Sequence, residues 1–468
     1  MPAALADGPP GDQPAVPRDR LHQLIARERT RYVASHPASL ALFRQAGHLI
    51  GRVPMTWMSK WSGGFPLYLD TAAGATVTDV DGHRYADFAL GDTGAMAGHS
   101  APAVTAAISH RAARQGGITT MLPTEDGEWV AAELARRFGL PLWSFSLSAT
   151  DANRWAIRLA RLITGRSKIL VFSYCYHGSV DETFVVLDEA GGARSRPGNV
   201  GPAVDPVSTT RVAHFNDLAS VQAQLEHGDV AVIVTEPALT NIGIVLPEPG
   251  FLDGLRWLAS QHGALLLIDE THTLSAGPGG MTATEALQPD IVVVGKSIGG
   301  GIACGAYGIT EQVGARVEEH TWSGTADIVD VGGVGGTLAG NALSTAAMRA
   351  TLSEVLTEQA FGSMIELATR YTAGVQATID QHRLPWSISR LGARAEYRFT
   401  APAPRTGNES AAAADPDLDE YLHLYLANRG VLLTPFHNMA LMCPATEAAD
   451  VDLHTGLFAD AIADLLGR

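Results

Sequence analysis

Short runs of branched apolar residues recur through the middle of the chain and predict buried strands. Two of them, Ala264–Ile268 and Ile291–Val294, are bounded by Gly and Pro, which is typical of strands buried on both faces of a parallel sheet. Four further runs have the same character: Trp143–Leu147, Lys168–Phe172, Val230–Thr235 and Cys304–Ile309. Segments with helical periodicity separate most of these runs. The pattern therefore predicts an α/β domain built on a mostly parallel, doubly wound sheet.

The two ends of the chain show a different pattern, in which helical and alternating segments are mixed. Residues 18–49 suit helices with a break at Pro37, and residues 67–88 alternate like antiparallel strands around a turn at Asp81-Gly82. Beyond residue 345 the pattern predicts helices at 362–382, 417–429 and 450–467, strands near 386–399 and 430–443, and a surface loop at 401–414. We therefore expect a disordered tail (1–17), a small α+β domain formed by both ends (18–90 and 346–468), and a large domain between them (91–345).

A charged residue follows each of the two apolar runs at 264–268 and 291–294. Asp269 ends the first run, and Lys296 follows the second after a single glycine. Ligands of open α/β sheets bind at the carboxyl ends of the strands, where these two side chains are expected. Lys296 is one of only three lysines, with Lys60 and Lys168, so arginine supplies nearly all the positive charge.

The pair of an amine and a carboxylate at this edge suits pyridoxal phosphate. A lone lysine at a strand end most often only reaches solvent, and charge alone could be supplied by arginine. An amine that loses its proton and attacks a carbonyl must be lysine. With Asp269 nearby, Lys296 would supply the Schiff-base amine, and Asp269 would keep the pyridine nitrogen of the cofactor protonated.

Composition narrows the class of protein. The 468-residue chain has a net charge of −16 and 46% hydrophobic residues, which argues against a nucleic-acid partner or an anionic membrane surface. We see no apolar run of the ~18 residues that suggest a membrane span, and no signal-like start. The three cysteines (Cys175, Cys304, Cys443) are scattered without CxxC spacing, so we expect reduced thiols in a cytoplasmic protein.

Several shorter motifs carry weaker signals with plain structural alternatives. Ser148-Ala149-Thr150 opens a helical segment and could seat a phosphate on free backbone N–H groups, or be an ordinary N-cap. Four other motifs follow strands or glycines, and none of them alone distinguishes a cofactor contact from ordinary turn or surface chemistry. They are Tyr176-His177, Glu236, Asn241 and Gly336-Thr337. His272 lies near Asp269 and Glu270, but no HxxxH or CxxC spacing accompanies it, so we expect no metal site.

Taken in order, these motifs resemble those of the class III aminotransferases, which are pyridoxal phosphate enzymes of fold type I. The resemblance extends from about residue 30 over nearly the whole chain, and it is strongest to the glutamate-1-semialdehyde aminomutase branch. The matching segments include Asp79-Val80-Asp81-Gly82, Gly98-His99, Phe145–Arg161, Tyr176-His177-Gly178, Glu236-Pro237, Pro249-Gly250-Phe251, Asp269-Glu270, Gly295-Lys296 and Gly336-Thr337.

The resemblance implies roles for the matched residues. Lys296 looks like the Schiff-base lysine and general acid/base, and Asp269 like the partner of the pyridinium nitrogen. The other positions that the resemblance assigns to the cofactor are Ser148, Ala149 and Thr150 (phosphate), Tyr176 and Thr271 (the two ring faces), His177, Glu236, Asn241 (ring hydroxyl) and Thr337 (phosphate, from the neighbouring subunit). The resemblance also implies a homodimer with shared active sites.

The chain departs from the aminomutase branch in its substrate-binding residues. That branch uses an arginine in an N-terminal flap, and none is found around Trp57–Lys60, a loop whose Trp57 is a candidate substrate contact. The opening His36-Pro37-Ala38-Ser39 looks instead like β-amino-acid aminotransferases of the same branch. Arg394 and Arg398 are candidates to bind a substrate carboxylate, although exposed strand arginines would look the same.

The leading hypothesis is an aminotransferase that moves an amino group between an amine, β- or ω-amino acid donor and a 2-oxo acid. The alternative is an aminomutase or epimerase on the same scaffold. A third possibility is a pyridoxal phosphate lyase, or a protein that binds the cofactor without catalysis. A transaminase needs an added oxo acid acceptor and leaves a ketone, which separates it from the isomerases.

Overall fold

The computed structural model describes residues 16–468, so most of the predicted tail (1–17) lies outside the described residues. The α-helices are α1 (Arg18–Ser35), α2 (Pro37–Gln45), α3 (Pro102–His110), α4 (Glu125–Phe138), α5 (Ala149–Thr164), α6 (Leu218–Leu225), α7 (Phe251–His262), α8 (Gly280–Thr284), α9 (Glu311–Trp322), α10 (Ala342–Ala350), α11 (Glu358–His382), α12 (Gly407–Ala412), α13 (Pro416–Ala427) and α14 (Ala448–Leu466). The strands are β1 (Leu69–Ala73), β2 (Thr76–Asp79), β3 (Arg84–Asp87), β4 (Leu142–Ser146), β5 (Lys168–Phe172), β6 (Val185–Leu187), β7 (Ala193–Ser195), β8 (Thr210–Ala213), β9 (Val230–Thr235), β10 (Leu265–Asp269), β11 (Ile291–Gly295), β12 (Gly305–Ile309), β13 (Ser387–Leu391), β14 (Arg394–Arg398), β15 (Val431–Leu432) and β16 (Met439–Leu441).

A seven-stranded sheet forms the centre of the large domain, in the order β4-β12-β11-β10-β9-β5-β8. The neighbours from β11 to β8 are parallel, while β12 runs antiparallel to both β11 and β4. All six predicted strands are present within one residue of their expected bounds at each end, and β8 is an additional strand that the pattern did not predict. The predicted α/β fold with a mostly parallel sheet is confirmed.

Strands β9, β10 and β11 are buried along their whole length, which explains their continuous apolar sequences. Helix α5 packs on this sheet through residues at helical spacing, among them Ala156, Ala160 and Ile163. Gly165 ends the helix in the left-handed conformation. Each buried Val, Leu or Ile contributes about 1.5–3 kcal/mol, so this packing holds the strand ends in place.

The small domain is built from both ends of the chain, as expected. Strand β15 pairs with β3 in the sheet β1-β2-β3-β15, with Val431 opposite Ala86. The three C-terminal strands form a second sheet, β13-β14-β16, and α11 packs against α14 while α1 packs against α13. Strands β2 and β3 form the predicted hairpin, in which Gly82 has a φ of +87°.

The predicted surface loop at 401–414 is wrong over part of its length. Helix α12 occupies Gly407–Ala412, and Thr406 caps it by accepting a hydrogen bond from the Glu409 N–H. Ser410 is fully buried. The helix is too short for periodicity to reveal it, and long-range burial decides its conformation. Among residues 16–468, no helix is both long and apolar enough to cross a membrane.

Candidate active site

A cavity of about 530 Å³ opens at the carboxyl ends of the central strands. Parallel strands place their terminal residues together at this edge, so the cavity gathers residues that are distant in sequence. Nine of the predicted site residues line it: Trp57, Ser148, Ala149, Thr150, Tyr176, Glu236, Asp269, Thr271 and Lys296. Strands β10 and β11 are adjacent, with Asp269 beside Val293, so the predicted amine and carboxylate belong to one site.

Asp269 ends β10 as a buried carboxylate with several hydrogen-bond donors. Its Oδ2 accepts from Asn153 Nδ2 at 2.8 Å and from His177 Nδ1 at 2.9 Å, and its Oδ1 accepts from the Thr271 hydroxyl at 2.6 Å. Burial alone would raise the pKa of Asp269, but the bonds from His177 and the other donors outweigh it and lower that pKa. Asp269 is therefore charged at neutral pH.

His177 contacts Asp269 without lining the cavity itself. Its imidazole is fully buried, and its Nε2 has no hydrogen-bond partner among the described residues. Burial favours the neutral imidazole, but Cys175 and Asp269 reverse that effect and raise the pKa of His177 well above its ordinary value. The structure thus places His177 against the Asp269 carboxylate rather than on the cavity wall.

Lys296 follows Gly295 at the end of β11 and adopts a left-handed backbone with a φ of +45°. A non-glycine residue in this region is strained, and such strain concentrates at functional sites. Its Nζ donates to Asp92 Oδ2 at 2.7 Å and lies 2.6 Å from His272 Nε2. Burial would raise the pKa of Asp92, but Lys296 and His272 lower it well below its usual range.

His272 extends this contact into a chain of hydrogen bonds. Its Nδ1 lies 2.6 Å from the Thr240 hydroxyl, which in turn donates to the Glu236 carboxylate. The Thr240 oxygen therefore accepts the Nδ1 proton, and the lone pair of Nε2 faces the amine of Lys296. Burial, together with the neighbouring Lys296, holds the pKa of His272 well below its usual range. His272 is thus a neutral acceptor beside the amine.

The predicted phosphate turn lies where α5 begins. Ser148 is the N-cap and accepts from the Asp151 N–H at 3.3 Å, while Ala149 is the first helical residue. Alanine fits this position because the backbone there is helical rather than left-handed. The turn packs against a glycine of β12: a Cβ on Gly305 would lie 2.6 Å from the Ser148 carbonyl carbon. Ala149 and Thr150 line the cavity at the start of this helix, where N–H groups without an intrahelical partner can hold an anion.

Aromatic rings surround the mouth of the cavity. The ring centroids of Trp57 and Tyr176 are 5.7 Å apart, as are those of Trp57 and Phe436. Lys60 lies 5.1 Å from the Phe436 ring centroid, a distance that allows a cation–π contact. Tyr176 and Thr271 both line the cavity, as expected for residues on either side of a planar ring.

Besides His177, two predicted cofactor residues do not line the cavity within this chain. Asn241 is half-buried in a narrow turn in which it bridges to Gly243, and it is not among the lining residues. Turn chemistry, the alternative considered from the sequence, accounts for it. Thr337 is exposed and also lies outside the cavity, so its predicted phosphate contact depends on a second subunit.

The arginines of β14 are buried, which excludes the alternative of exposed strand arginines. Arg394 is 1% exposed and donates to the Thr93 hydroxyl, next to Asp92, while its Nε has no partner among the described residues. Arg398 donates to the Ser410 carbonyl and packs at Gly243. Neither side chain lines the cavity. Arg394 lies directly behind it, and Arg398 is held by α12.

Sequence patterns missed three residues that shape the site: Asp92, Asn153 and Thr240. Asp92 belongs to the turn Gly91-Asp92-Thr93-Gly94, in which Asp92 and Thr93 have φ values of +51° and +81°. In the sequence, the signal that could have indicated this turn is the pair of glycines that flanks two short polar residues. Asn153 and Thr240 carry no such signal.

The residues of the cavity fit pyridoxal phosphate. They supply a lysine amine, a charged carboxylate on the neighbouring strand, the free N–H groups at the start of a 16-residue helix, and an aromatic ring at Tyr176. Each of these features matches one part of the cofactor, so the structure agrees with the pyridoxal phosphate site inferred from the sequence.

Comparisons with known proteins agree with this fit. A model of the family described as Aminotransferase class-III matches residues 57–462. The chain is 33% identical over 417 residues to the glutamate-1-semialdehyde 2,1-aminomutase of Chloroflexus aggregans, covering 86% of this chain and 92% of that protein. A crystal structure of a glutamate-1-semialdehyde-aminomutase from Pseudomonas aeruginosa is 49% identical, with a TM-score of 0.92, and the match covers 96% of this chain and 99% of that one.

Other solved structures extend the comparison. The β-phenylalanine aminotransferase from Variovorax paradoxus is 30% identical, with a TM-score of 0.83 over 95% of this chain and 97% of that one. A variant of the Pseudomonas aminomutase was solved in complex with PMP, with 49% identity and a TM-score of 0.93 over 96% of this chain and 99% of that one. The cofactor is therefore pyridoxal phosphate.

Proposed function

The chain belongs to the class III aminotransferase family and uses pyridoxal phosphate, and from this premise we propose that it is an aminomutase. It would move an amino group between adjacent carbons of a small substrate that carries a carboxylate, of the glutamate-1-semialdehyde type. The sequence led us to place an aminotransferase first and an aminomutase second. The names of the relatives favour the second, since the match to the Pseudomonas aminomutase is 49% identical and that to the β-phenylalanine aminotransferase 30%.

One observation carries the amino-transfer part of the proposal. The Lys296 amine is held between Asp92 and His272 inside a cavity that is also lined by Asp269. Moving an amino group requires a base that delivers protons to neighbouring atoms, and an amine on a flexible stem with two polar partners suits this task.

The roles of the residues follow from their contacts. When bound, pyridoxal phosphate supplies a ring that accepts electrons from the carbon bearing the amino group. Asp269 provides the negative charge that favours a proton on the ring nitrogen, and Asn153 and His177 fix the direction of that carboxylate. Lys296 carries protons to and from substrate carbon. Its amine is positioned by the Asp92 carboxylate and the His272 imidazole.

Arg394 is the residue that we propose for the substrate carboxylate. It is buried behind Asp92 and Thr93, and its Nε is unpartnered in the described residues, so it has donor capacity to offer. Burial lowers the pKa of Arg394, opposed by Asp92, Glu396 and Glu236. A substrate carboxylate on the Thr93 side of the cavity would meet this guanidinium.

An aminotransferase remains the second candidate because of the residues at the cavity mouth. The segment 55–60 lacks the arginine expected of the aminomutase branch and instead places Trp57 at the cavity, against Tyr176 and Phe436. An aromatic mouth suits a bulky or apolar amine donor, with a 2-oxo acid as acceptor.

The two candidates differ in their need for an acceptor. We would incubate the cofactor-loaded protein with glutamate 1-semialdehyde in the absence of any oxo acid and follow the isomer with the amino group on carbon 1. The expected result is isomerisation without net loss of amino groups, and no turnover by Lys296→Ala. Turnover only when pyruvate or 2-oxoglutarate is added, with one ketone formed per acceptor consumed, would establish the aminotransferase instead.

We also propose a homodimer in which Thr337 completes the phosphate site of the neighbouring subunit. In the single chain Thr337 is exposed, and so are apolar side chains of the same region, Trp322 at 86% and Val329 at 86%. Light scattering should give twice the mass of the chain. Thr337→Ala should weaken cofactor binding about tenfold, consistent with a lost hydrogen bond to a charged group, whereas Thr325→Ala should not. Location in the cytoplasm stays a prediction.

A further inference from the structure

A second cluster of metal-ligand side chains lies away from the catalytic cavity, in the small domain. His36 sits between α1 and α2, Asp79 ends β2, and His83 immediately precedes β3. One ligand atom from each lies within 4.8 Å of the other two. We propose that His36, Asp79 and His83 bind a divalent metal ion of the zinc type.

The separations of Asp79 from the two histidines suit a tetrahedral ion. Asp79 Oδ2 lies 3.5 Å from His36 Nε2 and 3.2 Å from His83 Nδ1. Bonds of about 2.0–2.2 Å in tetrahedral geometry place neighbouring ligand atoms about 3.3–3.5 Å apart. The separation from His36 is at this value and that from His83 is just below it, while the ligand atoms of the two imidazoles lie within 4.8 Å of each other. Two imidazoles and one carboxylate are a ligand set that favours Zn²⁺ or Co²⁺ over Mg²⁺ or Ca²⁺.

The hydrogen bonds around His36 direct a lone pair into the cluster. His36 Nδ1 lies 2.7 Å from the Tyr32 carbonyl oxygen, which can only accept, so Nδ1 carries the proton. Nε2 is then the unprotonated nitrogen that faces Asp79. A backbone carbonyl that fixes the tautomer in this way is the usual outer partner of a metal-bound histidine.

The Tyr85 hydroxyl cannot donate to both of its acceptors in the cluster. The Tyr85 hydroxyl lies 2.8 Å from His36 Nε2 and 2.7 Å from Asp79 Oδ2, yet it has one proton for these two acceptors. A cation between His36 and Asp79 would satisfy both lone pairs. The competing ways to satisfy them are a second proton on His36 and a proton on His83 Nδ1, which lies 3.2 Å from the same Asp79 oxygen. Neither of these arrangements binds Zn²⁺.

The surroundings of the cluster also suit a metal ion, because they give it a path from solvent and hold the Asp79 carboxylate in place. His36 and Asp79 are buried, whereas the His83 side chain is 42% exposed and offers a path for the ion. The other Asp79 oxygen, Oδ1, accepts from the backbone N–H groups of Asp81 and His83 at 3.0 and 2.8 Å, so the carboxylate is held in place. The ion would join the corner between α1 and α2 to the β2–β3 hairpin.

The test uses the cofactor-loaded protein, treated with EDTA, desalted and titrated with Zn²⁺ alone, and with Co²⁺ for its absorption spectrum. We expect one tight site per chain, a Co²⁺ spectrum of tetrahedral type, and a rise in melting temperature with Zn²⁺. His83→Ala should weaken Zn²⁺ binding at least tenfold and abolish the rise while leaving cofactor absorbance intact. His227→Ala, an exposed histidine elsewhere, should behave like the wild type.

Three results would overturn the proposal. The first is the absence of a tight Zn²⁺ site in the wild type. The second is equal stoichiometry and affinity in the wild type and His83→Ala, which would place the ion elsewhere. The third is an NMR signal for a doubly protonated His36 at neutral pH that Zn²⁺ does not change. Because catalytic activity is not the readout, these outcomes are independent of the proposed function.

Discussion

The Nε2 of His272 lies 2.6 Å from the Nζ of Lys296, although the two residues follow different strands of the sheet. The imidazole is neutral, with its other nitrogen bound to Thr240, so it meets the amine as an acceptor. Asp92 contacts the same amine at 2.7 Å. The Lys296 amine is therefore held by two partners of different charge.

Replacing His272 should slow catalysis without preventing cofactor binding. His272→Leu removes the acceptor beside Lys296, and we expect kcat to fall about 10²-fold because the proton-transferring amine is no longer oriented. KM and the absorbance of the bound cofactor should change little. His110→Ala, an exposed histidine, serves as the control. Full activity of His272→Leu would show that Asp92 alone positions the amine.

Neutralising Asp269 should reduce kcat strongly while having little effect on the stability of the fold. Asp269→Asn keeps the shape of the side chain and can still bond to Thr271 and Asn153, but it loses the charge that stabilises the ring proton. We expect kcat to fall roughly 10²–10³-fold at saturating cofactor, the cost of one lost electrostatic contact in a preorganised site. Asp269→Glu should recover part of the rate. An Asp269→Asn variant with near-normal kcat would contradict the assignment.

Arg394 should control the affinity for a carboxylate. We expect Arg394→Gln to raise KM for the carboxylate substrate about 10–100-fold, since a charge-assisted hydrogen bond contributes about 1.5–3 kcal/mol. An amine without a carboxylate should be used equally well by the variant and the wild type. Arg390→Gln changes an exposed arginine of the same hairpin and is the matched control. A similar loss with both classes of amine would indicate a purely structural role.

Acid should destabilise the protein through His454. This side chain is fully buried against Tyr371, Phe88 and Phe458, and burial lowers its pKa to about 3. An unfolded histidine has a pKa of about 6.5, so between these values the unfolded chain binds more protons and stability falls as the pH falls. From pH 7 to 5.5 we expect a loss of about 1 kcal/mol from this group.

The measurement is urea unfolding of the wild type and of His454→Phe at both pH values. The variant keeps an aromatic ring among its neighbours but cannot titrate, so its loss of stability on acidification should be smaller by about 1 kcal/mol. His36 and His272 also have lowered pKa values and titrate in both proteins, so their contributions cancel in the difference. Equal losses in the two proteins would mean that His454 is protonated in the folded state.

The candidate site residues at the strand ends could be predicted from the local sequence. Asp269 and Lys296 were found because each directly follows a fully buried strand, and the start of α5 was found because apolar residues recur at helical spacing after Ser148. The hairpin at Gly82 was found in the same way. These signals depend on the side-chain period of one element, which the sequence carries in full.

Contacts between distant segments could not be predicted in this way. Asp92 lies 204 residues from Lys296 in sequence, and His36 lies 49 residues from Tyr85. The burial of Arg394 and the helix within 401–414 also depend on neighbours from other elements.

The sequence by itself determined six strands of the central sheet, the cofactor, and the place of Asp269 and Lys296 at the ends of two of those strands. Only the tertiary structure decided which groups surround the Lys296 amine, and that His36, Asp79 and His83 share one cluster. The reason is that hydrophobic periodicity encodes which face of each element is buried, whereas the partner on that face is chosen when the elements pack together.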